Sequence, residues 1–227
     1  MNLLPFGGAL ADRVYRARWR TLDALAGAGR HAAPGSVALT FDDGPRPGST
    51  DRLLGILADL EVQATFFCVG ANAMAHPRLT RRIEAEGHQV GSHSLTHPHP
   101  ARTPLRVLAT DYARGREALE DVLGHEVALF RPPHGHLDVA RAIMLRRQRL
   151  RCWLWSVDPQ DWRPLATSDS IRTAVSALAS SGSVVLMHDW VEQPVSPAAR
   201  DRSATLAAVP LIVRDLRARG LTFVGVA

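Results

Sequence analysis

The amino-acid sequence predicts an α/β fold in which a parallel sheet closes into a barrel rather than spreading as an open, doubly wound sheet. Three observations carry this expectation. Short β-rich runs alternate with longer segments of helical period along nearly the whole chain, which is the pattern of repeated βα units. Several of those runs, such as VALTF and SVVLM, are apolar almost without interruption, as parallel strands covered on both faces are. Five runs then end in charged or imidazole residues: Asp42 and Asp43 after VALTF, His93 after QVGS, Arg131 after ALF, Asp158 after WLWSV and His188 after VVLM. In parallel α/β barrels the site is assembled at the C-terminal ends of the strands. Five strands feeding one mouth favours closure over an open sheet.

The strands are expected at Ser36 to Phe41, Ala64 to Val69, Gln89 to His93, Ala128 to Arg131, Leu150 to Val157, Ser183 to Met187 and Thr222 to Gly225, the last being the weakest. Helical periodicity falls between them, near Thr50 to Leu60, Asn72 to Glu86, Pro104 to Leu123, Asp138 to Arg149, Asp169 to Ser180 and Ser203 to Arg219. The connecting stretches GPRPGS, HPHP, RPPHG and EQPVSP carry the proline and glycine of turns. Before the first strand, Val14, Trp19, Leu22 and Leu25 lie at helical spacings with arginines between them, so a helix from Ala9 to Ala28 is expected. Packing against the domain is its simplest role, and peripheral contact with an anionic membrane surface is the alternative. The chain therefore divides into an N-terminal helical segment over residues 1–35 and one domain over residues 36–227.

Bulk properties exclude more than they assign. With 227 residues, 46% hydrophobic and 22% charged, the chain suits one domain with a substantial core. The net charge of +5 comes entirely from arginine, since lysine is absent; the arginines are scattered, so no nucleic-acid partner is expected. No run approaches the ~18 apolar residues of a spanning helix, and the N-terminus lacks the basic, apolar and small-residue order of a secretory signal. A cytoplasmic location is the corresponding expectation, with membrane association or export by an unrecognised route as the alternative. Cys68 and Cys152 lie in separate apolar runs outside any CxxC pair. Two buried free thiols are the default, with a disulfide left open.

The chemistry begins at Thr40-Phe41-Asp42-Asp43-Gly44-Pro45. Adjacent carboxylates repel and raise one another's pKa unless a cation sits nearby. On extended backbone they point in different directions, so one can bind a metal while the other faces a substrate. His93-Ser94-Leu95-Thr96-His97 places two imidazoles four residues apart, on one side if the segment coils once. With Asp43 they supply two nitrogens and one oxygen and leave positions open, as a catalytic zinc site does. Arg131 suits the second carboxylate as a partner that keeps it ionised and aimed. Pro132 and Pro133 stiffen the loop that follows and can fix a backbone N–H as an oxyanion donor. His188 can be kept protonated, as a general acid must be, by a buried carboxylate such as Asp161. His99, inside HPHP, reads as a loop residue.

Taken together, TFDDGP, HSLTH, RPPHG, DPQDW and LMH occur in the order and rough spacing of the five motifs of the polysaccharide deacetylase family, the carbohydrate esterases with a NodB-type homology domain. The resemblance spans about Ser36 to Ala227. It implies a distorted (β/α)7 barrel and a metal-dependent hydrolase that removes N-acetyl groups from N-acetylglucosamine-type units of a poly- or oligosaccharide, releasing acetate. It also implies the residue roles. Asp43, His93 and His97 would hold a divalent metal, zinc first, with cobalt, nickel or manganese able to substitute. Asp42 would be the general base and Arg131 its orienting partner. His188 would be the general acid, with Asp161 setting its pKa. The backbone N–H of His134 would stabilise the oxyanion, and Trp162, Leu186 and Pro133 would line the sugar groove. The family usually has tyrosine where this chain has His134, which puts side-chain contacts to substrate in doubt and leaves the backbone role intact. Rival activities on the same scaffold are O-acetyl ester hydrolysis, as in acetylated xylan, and cyclic-amide hydrolysis.

Overall fold

A computed structural model describes residues 21–226, and within them β1 (Ser36–Asp42) is the strand around which the sheet is arranged. Its residues alternate in direction, as any strand's must. Val37, Leu39 and Phe41 join the large core formed with the outer helices. Ala38 instead belongs to a second cluster with Phe67, Leu129 and Val184. Ala38, Thr40 and Asp42 thus share the face that looks into the barrel. Every residue of β1 is buried, which is why its sequence is apolar on both faces until the carboxylates begin.

The other strands are β2 (Thr65–Cys68), β3 (Gln89–Ser92), β4 (Leu129–Phe130), β5 (Arg151–Cys152), β6 (Ser183–His188) and β7 (Thr222–Phe223). They form one parallel sheet in the order β5-β4-β3-β2-β1-β6, with β7 paired to the start of β1. The open side between β5 and β6 is narrowed by single bridges: Gly29 with Trp153, His31 with Ser183, and Val157 with Val185. A sheet curled in this way, with chain segments filling the gap, is a distorted seven-stranded barrel. Its register places Asp42 opposite His188 and Ser92 opposite Phe130. Asp42, His93, Arg131 and His188 therefore reach one rim.

The helices are α1 (Thr50–Asp59), α2 (Gly70–Ala75), α3 (Pro77–Ala85), α4 (Leu105–Leu123), α5 (Val139–Arg147), α6 (Ser168–Leu178) and α7 (Ser203–Arg217). The single helix expected from Asn72 to Glu86 is in fact two. Pro77 opens α3 after His76 leaves the helical region at φ −131°, ψ 57°, because the residue before proline is sterically driven out of αR. The strand expected from Leu150 to Val157 keeps a regular ladder only at Arg151–Cys152. Beyond it the carbonyls of Trp153 and Leu154 accept from the Arg131 guanidinium at 3.3 and 3.2 Å, so this stretch serves the site as well as the sheet.

Of the helix expected from Ala9 to Ala28, residues 21–26 are helical and bury Leu22 and Ala26 against Tyr112, Phe130 and Leu145; it ends before Gly27, two residues earlier than expected, and residues 9–20 lie outside the described residues. Both cysteines are free and buried. No described helix is long and apolar enough to cross a membrane.

One contact fixes the loop that carries two imidazoles. A Cβ at Gly115 in the middle of α4 would lie 2.2 Å from the carbonyl carbon of Ser94 and 2.5 Å from the nitrogen of Leu95. Helix and loop therefore touch backbone to backbone. The first turn of α2 donates to the same loop, Gly70 N–H to Ser94 O at 2.9 Å and Ala71 N–H to Leu95 O at 3.0 Å, satisfying donors a helix N-terminus otherwise leaves free.

Candidate active site

The two carboxylates at the end of β1 have separate surroundings. Asp42, still in the strand and facing the barrel interior, accepts from Arg131 Nη1 at 2.8 Å. That guanidinium is fully buried, with Nη1 also donating to Thr40 Oγ1 at 2.7 Å and its carbon 4.1 Å from the centre of the Phe67 ring. Burial pulls the Arg131 pKa down while Asp42 pushes it up; a guanidinium starts so far above neutrality that it stays charged. A buried cation with a carboxylate and three carbonyl or hydroxyl acceptors is adequately compensated.

Asp43 turns away through a left-handed backbone, φ 77°. Its Oδ2 accepts the Glu192 N–H at 2.9 Å, while Oδ1 lies 3.4 Å from His93 Nε2 and 3.3 Å from His97 Nε2. Burial would raise the Asp43 pKa, but His97, His93 and His188 together hold it well below the usual carboxylate range. His93 Nδ1 lies 2.7 Å from the carbonyl of Arg131. A carbonyl can only accept, so Nδ1 carries a proton and Nε2 is the ring atom turned toward Asp43. Burial lowers the pKa of His97, against the pull of Asp43, which favours the neutral ring that a metal needs.

These three groups fit a divalent metal. Asp43, His93 and His97 are all buried and offer ligand atoms within 4.8 Å of one another. Asp43 Oδ1 has no hydrogen-bond partner although it is buried, a costly state for a carboxylate oxygen unless a cation satisfies it. The partner carbonyl on His93 is the orienting contact typical of metal-bound imidazoles.

On the neighbouring strand, His188 Nδ1 lies 2.7 Å from Asp161 Oδ1, and the His188 N–H donates to Asp161 Oδ2 at 2.9 Å. Thr205 Oγ1 donates to the same Oδ2 at 2.9 Å, and Arg202 lies at 3.5 Å. Burial would lower the His188 pKa, but Asp161 outweighs it and the value is pushed up to about 9. Asp161 is correspondingly lowered, against its own burial.

Leu186, buried, is the register partner of Thr40 and lies on the barrel-facing side of β6. Pro133, also buried, opens the 3-10 turn Pro133–Gly135. Trp162 is half-buried in the loop after Asp161. His134 adopts φ 58°, and its ring packs 4.8 Å from that of His97 and 4.7 Å from that of His99. The surrounding burial, then His97 and His99, lower its pKa to about 4, so it is neutral at physiological pH. His99 is therefore part of the wall beside the site, not the bare loop residue its sequence suggests.

Four further residues support the site without a role in the motif reading. Thr40 shares Arg131; its barrel-facing phase with Asp42 was available from the alternation of β1. Asp189, buried next to His188, accepts from Gly44 N–H at 3.1 Å and Thr50 Oγ1 at 2.5 Å, and burial raises its pKa to about 7. A Cβ at Gly44 would lie 2.0 Å from this carboxylate, so the glycine permits the approach. Asn72 Nδ2 donates to the Asp43 carbonyl at 2.8 Å and to Glu192 Oε2 at 2.9 Å, and Glu192 reaches Asp43 through its main chain. Backbone contacts of that kind leave no residue-type signal.

Residues 29–151 match the family profile described as polysaccharide deacetylase. The chain is 33% identical to a peptidoglycan-N-acetylglucosamine deacetylase of Bacillus cereus over 84% of its length and 85% of that protein's. It is 36% identical to a chitooligosaccharide deacetylase of Sinorhizobium fredii, covering 82% and 87%. Among solved structures it is similar to a family 4 carbohydrate esterase from Streptomyces lividans in complex with acetate, at a TM-score of 0.73 and 37% identity over 85% of this chain and 93% of that one. It is also similar to a peptidoglycan N-acetylglucosamine deacetylase in complex with an N-hydroxybenzamide, at a TM-score of 0.76 and 30% identity over 87% and 89%.

Proposed function

The chain belongs to the polysaccharide deacetylase family, and from that premise we propose that it removes N-acetyl groups from N-acetylglucosamine units of a glycan with the residues of this one rim. The observation that carries the reading is the division of labour between adjacent carboxylates. Asp43 is turned onto two imidazoles, and Asp42 is turned onto a buried arginine.

Asp43, His93 and His97 hold the divalent metal, and zinc suits their two nitrogens and one oxygen. When bound, such an ion polarises the acetyl carbonyl and acidifies the attacking water. Asp42, aimed by its contact with Arg131, takes the proton from the attacking water. Oxygen adds to the acetyl carbon, the carbonyl oxygen gains negative charge, and the main-chain N–H of His134 is the protein donor assigned to it. Collapse breaks the carbon–nitrogen bond. His188, charged because Asp161 holds its proton, donates to the leaving nitrogen, so acetate and a glucosamine unit depart. The base ends protonated and the acid deprotonated, and exchange with solvent restores both. Trp162, Leu186 and Pro133 line the groove for the sugar and its acetyl methyl.

Asp42→Asn tests the assignment. The variant should lose at least about a hundredfold in kcat, the scale of general-base catalysis, and still bind one equivalent of metal. Retention of the native rate would remove Asp42 from the role.

A further inference from the structure

We infer that this site takes an acetylated glycan that also carries an anion, a phosphoryl or carboxylate group, and that Arg46 and Arg200 receive that anion beside the ring of Trp190; this rests on the deacetylase reading above. Trp190 stands two residues beyond His188, on the loop after β6. Arg46 stands three residues beyond Asp43, on the loop after β1, and Arg200 ends the 3-10 turn Pro197–Arg200. All three lie at the carboxyl ends of strands, the end that carries the site. The guanidinium carbons of Arg46 and Arg200 lie 4.8 and 5.4 Å from the centre of the same indole.

Each arginine gains from the ring face, but two like charges gathered on one ring repel each other. Among the described residues neither has a carboxylate within ion-pairing distance, although Arg30, Arg131, Arg141 and Arg172 each have one. The nearby acids are engaged elsewhere. Asp189 faces inward to Gly44 and Thr50, Glu192 accepts from Asn72, and Asp201 accepts the Ser203 N–H. Both arginines are exposed, so their donors remain available to a ligand. In the loop after Asp161, Arg163 repeats the arrangement over Trp162 at 5.5 Å and is likewise unpaired among the described residues. The half-buried indole holds both side chains in place, and guanidiniums bind phosphate or carboxylate oxygens through charge-assisted hydrogen bonds. A neutral glycan would leave that charge uncompensated.

The test compares KM for acetate release from three substrates: neutral chitotetraose, a chitooligosaccharide 1-phosphate of the same length, and a peptidoglycan glycan fragment bearing free lactyl carboxylates. At low salt the native enzyme should show a KM about tenfold or more lower for an anionic substrate than for the neutral one, as one or two charge-assisted contacts allow. Which anion benefits identifies the source, and ~0.5 M salt should erase the advantage. Arg46→Gln combined with Arg200→Gln should raise the anionic KM about tenfold while moving the neutral KM several-fold less. Equal KM for neutral and both anionic substrates in the native enzyme, or an equal rise for all three in the variant, would overturn the inference. Calorimetric titration of zinc-loaded Asp42→Asn with the same glycans reads the preference without turnover. Absence of acetate from every substrate would count against the deacetylase reading; acetate release and binding without anionic preference would count against this inference alone.

Discussion

At the scale of single residues, two neighbouring aspartates acquire different chemistry because β1 ends between them. Asp42 keeps the strand's inward phase and meets Arg131, while the left-handed turn at Asp43 swings its carboxylate to the imidazoles. The side-chain partners were legible in the motifs: Asp43, His93 and His97 come together, as do Asp42 with Arg131 and His188 with Asp161. The contacts of Thr40, Asn72 and Glu192 were not, because a hydroxyl inside a strand, a side-chain amide on a main-chain carbonyl or a donated main-chain N–H has no distinctive spacing. The His188 pair makes a prediction at this scale. A histidine raised to about 9 by a carboxylate is a protonated acid below that pH and loses its proton above it, so the alkaline limb of kcat/KM reports the pair. In Asp161→Asn the attraction is gone, and the limb should move toward the ordinary histidine value near 6.5. A pH–rate profile measures it, and an unmoved limb would detach Asp161 from the acid. The pair also bears on stability. The His188 share is present below about 6.5 and lost as pH rises through about 9, and the Asp161 share is lost as pH falls through its own lowered value.

At the scale of elements, the site depends on how helices and loops are held under it. Strand and helix positions were readable from apolar periodicity, but the break at Pro77 and the short β5 were not foreseen. Just beyond β5 the apolar pattern continues while the carbonyls are diverted to Arg131, a choice made by a residue 22 and 23 positions away. The meeting of α4 with the 94–95 loop is the most exacting contact. Gly115→Ala would push a Cβ into main-chain atoms, so a loss of about 1–3 kcal/mol is expected from overpacking, together with weaker metal binding through the shifted His93 and His97. Urea unfolding and a zinc titration check both; native values in either would show that the loop yields. Asp189 gives a second element-level expectation. Its pKa is raised by burial to about 7, so the folded state holds a proton that the unfolded chain gives up near 3.9, and this group costs stability as pH rises from about 4 to 7. Asp189→Asn mimics the protonated acid, with its oxygen for the Gly44 N–H and its amide for Thr50. Its melting temperature relative to the native protein should therefore climb across that range, and a constant difference would contradict the titration.

At the scale of the whole molecule, parallel register is what turns scattered motifs into one rim. Strand ends more than a hundred residues apart in sequence become neighbours, as Asp42 and His188 do. The polar ends of five apolar runs were enough to favour a barrel, whereas its incomplete closure by Gly29, His31 and Val157 involves single bridges with no periodic signature. Metal should stabilise the fold, since its ligands come from the turn after β1 and the loop after β3: at a hundredfold excess over Kd the gain is about 2.7 kcal/mol, readable as a higher melting temperature that a chelator reverses. The most direct measurement is acetate and free amine released together from chitooligosaccharide by chelated and zinc-restored enzyme, with acetylated xylan in parallel. Equal amounts of acetate and amine, lost on chelation and regained with zinc, are expected. Acetate from the xylan ester alone, or release indifferent to chelation, would contradict a metal-dependent N-deacetylase.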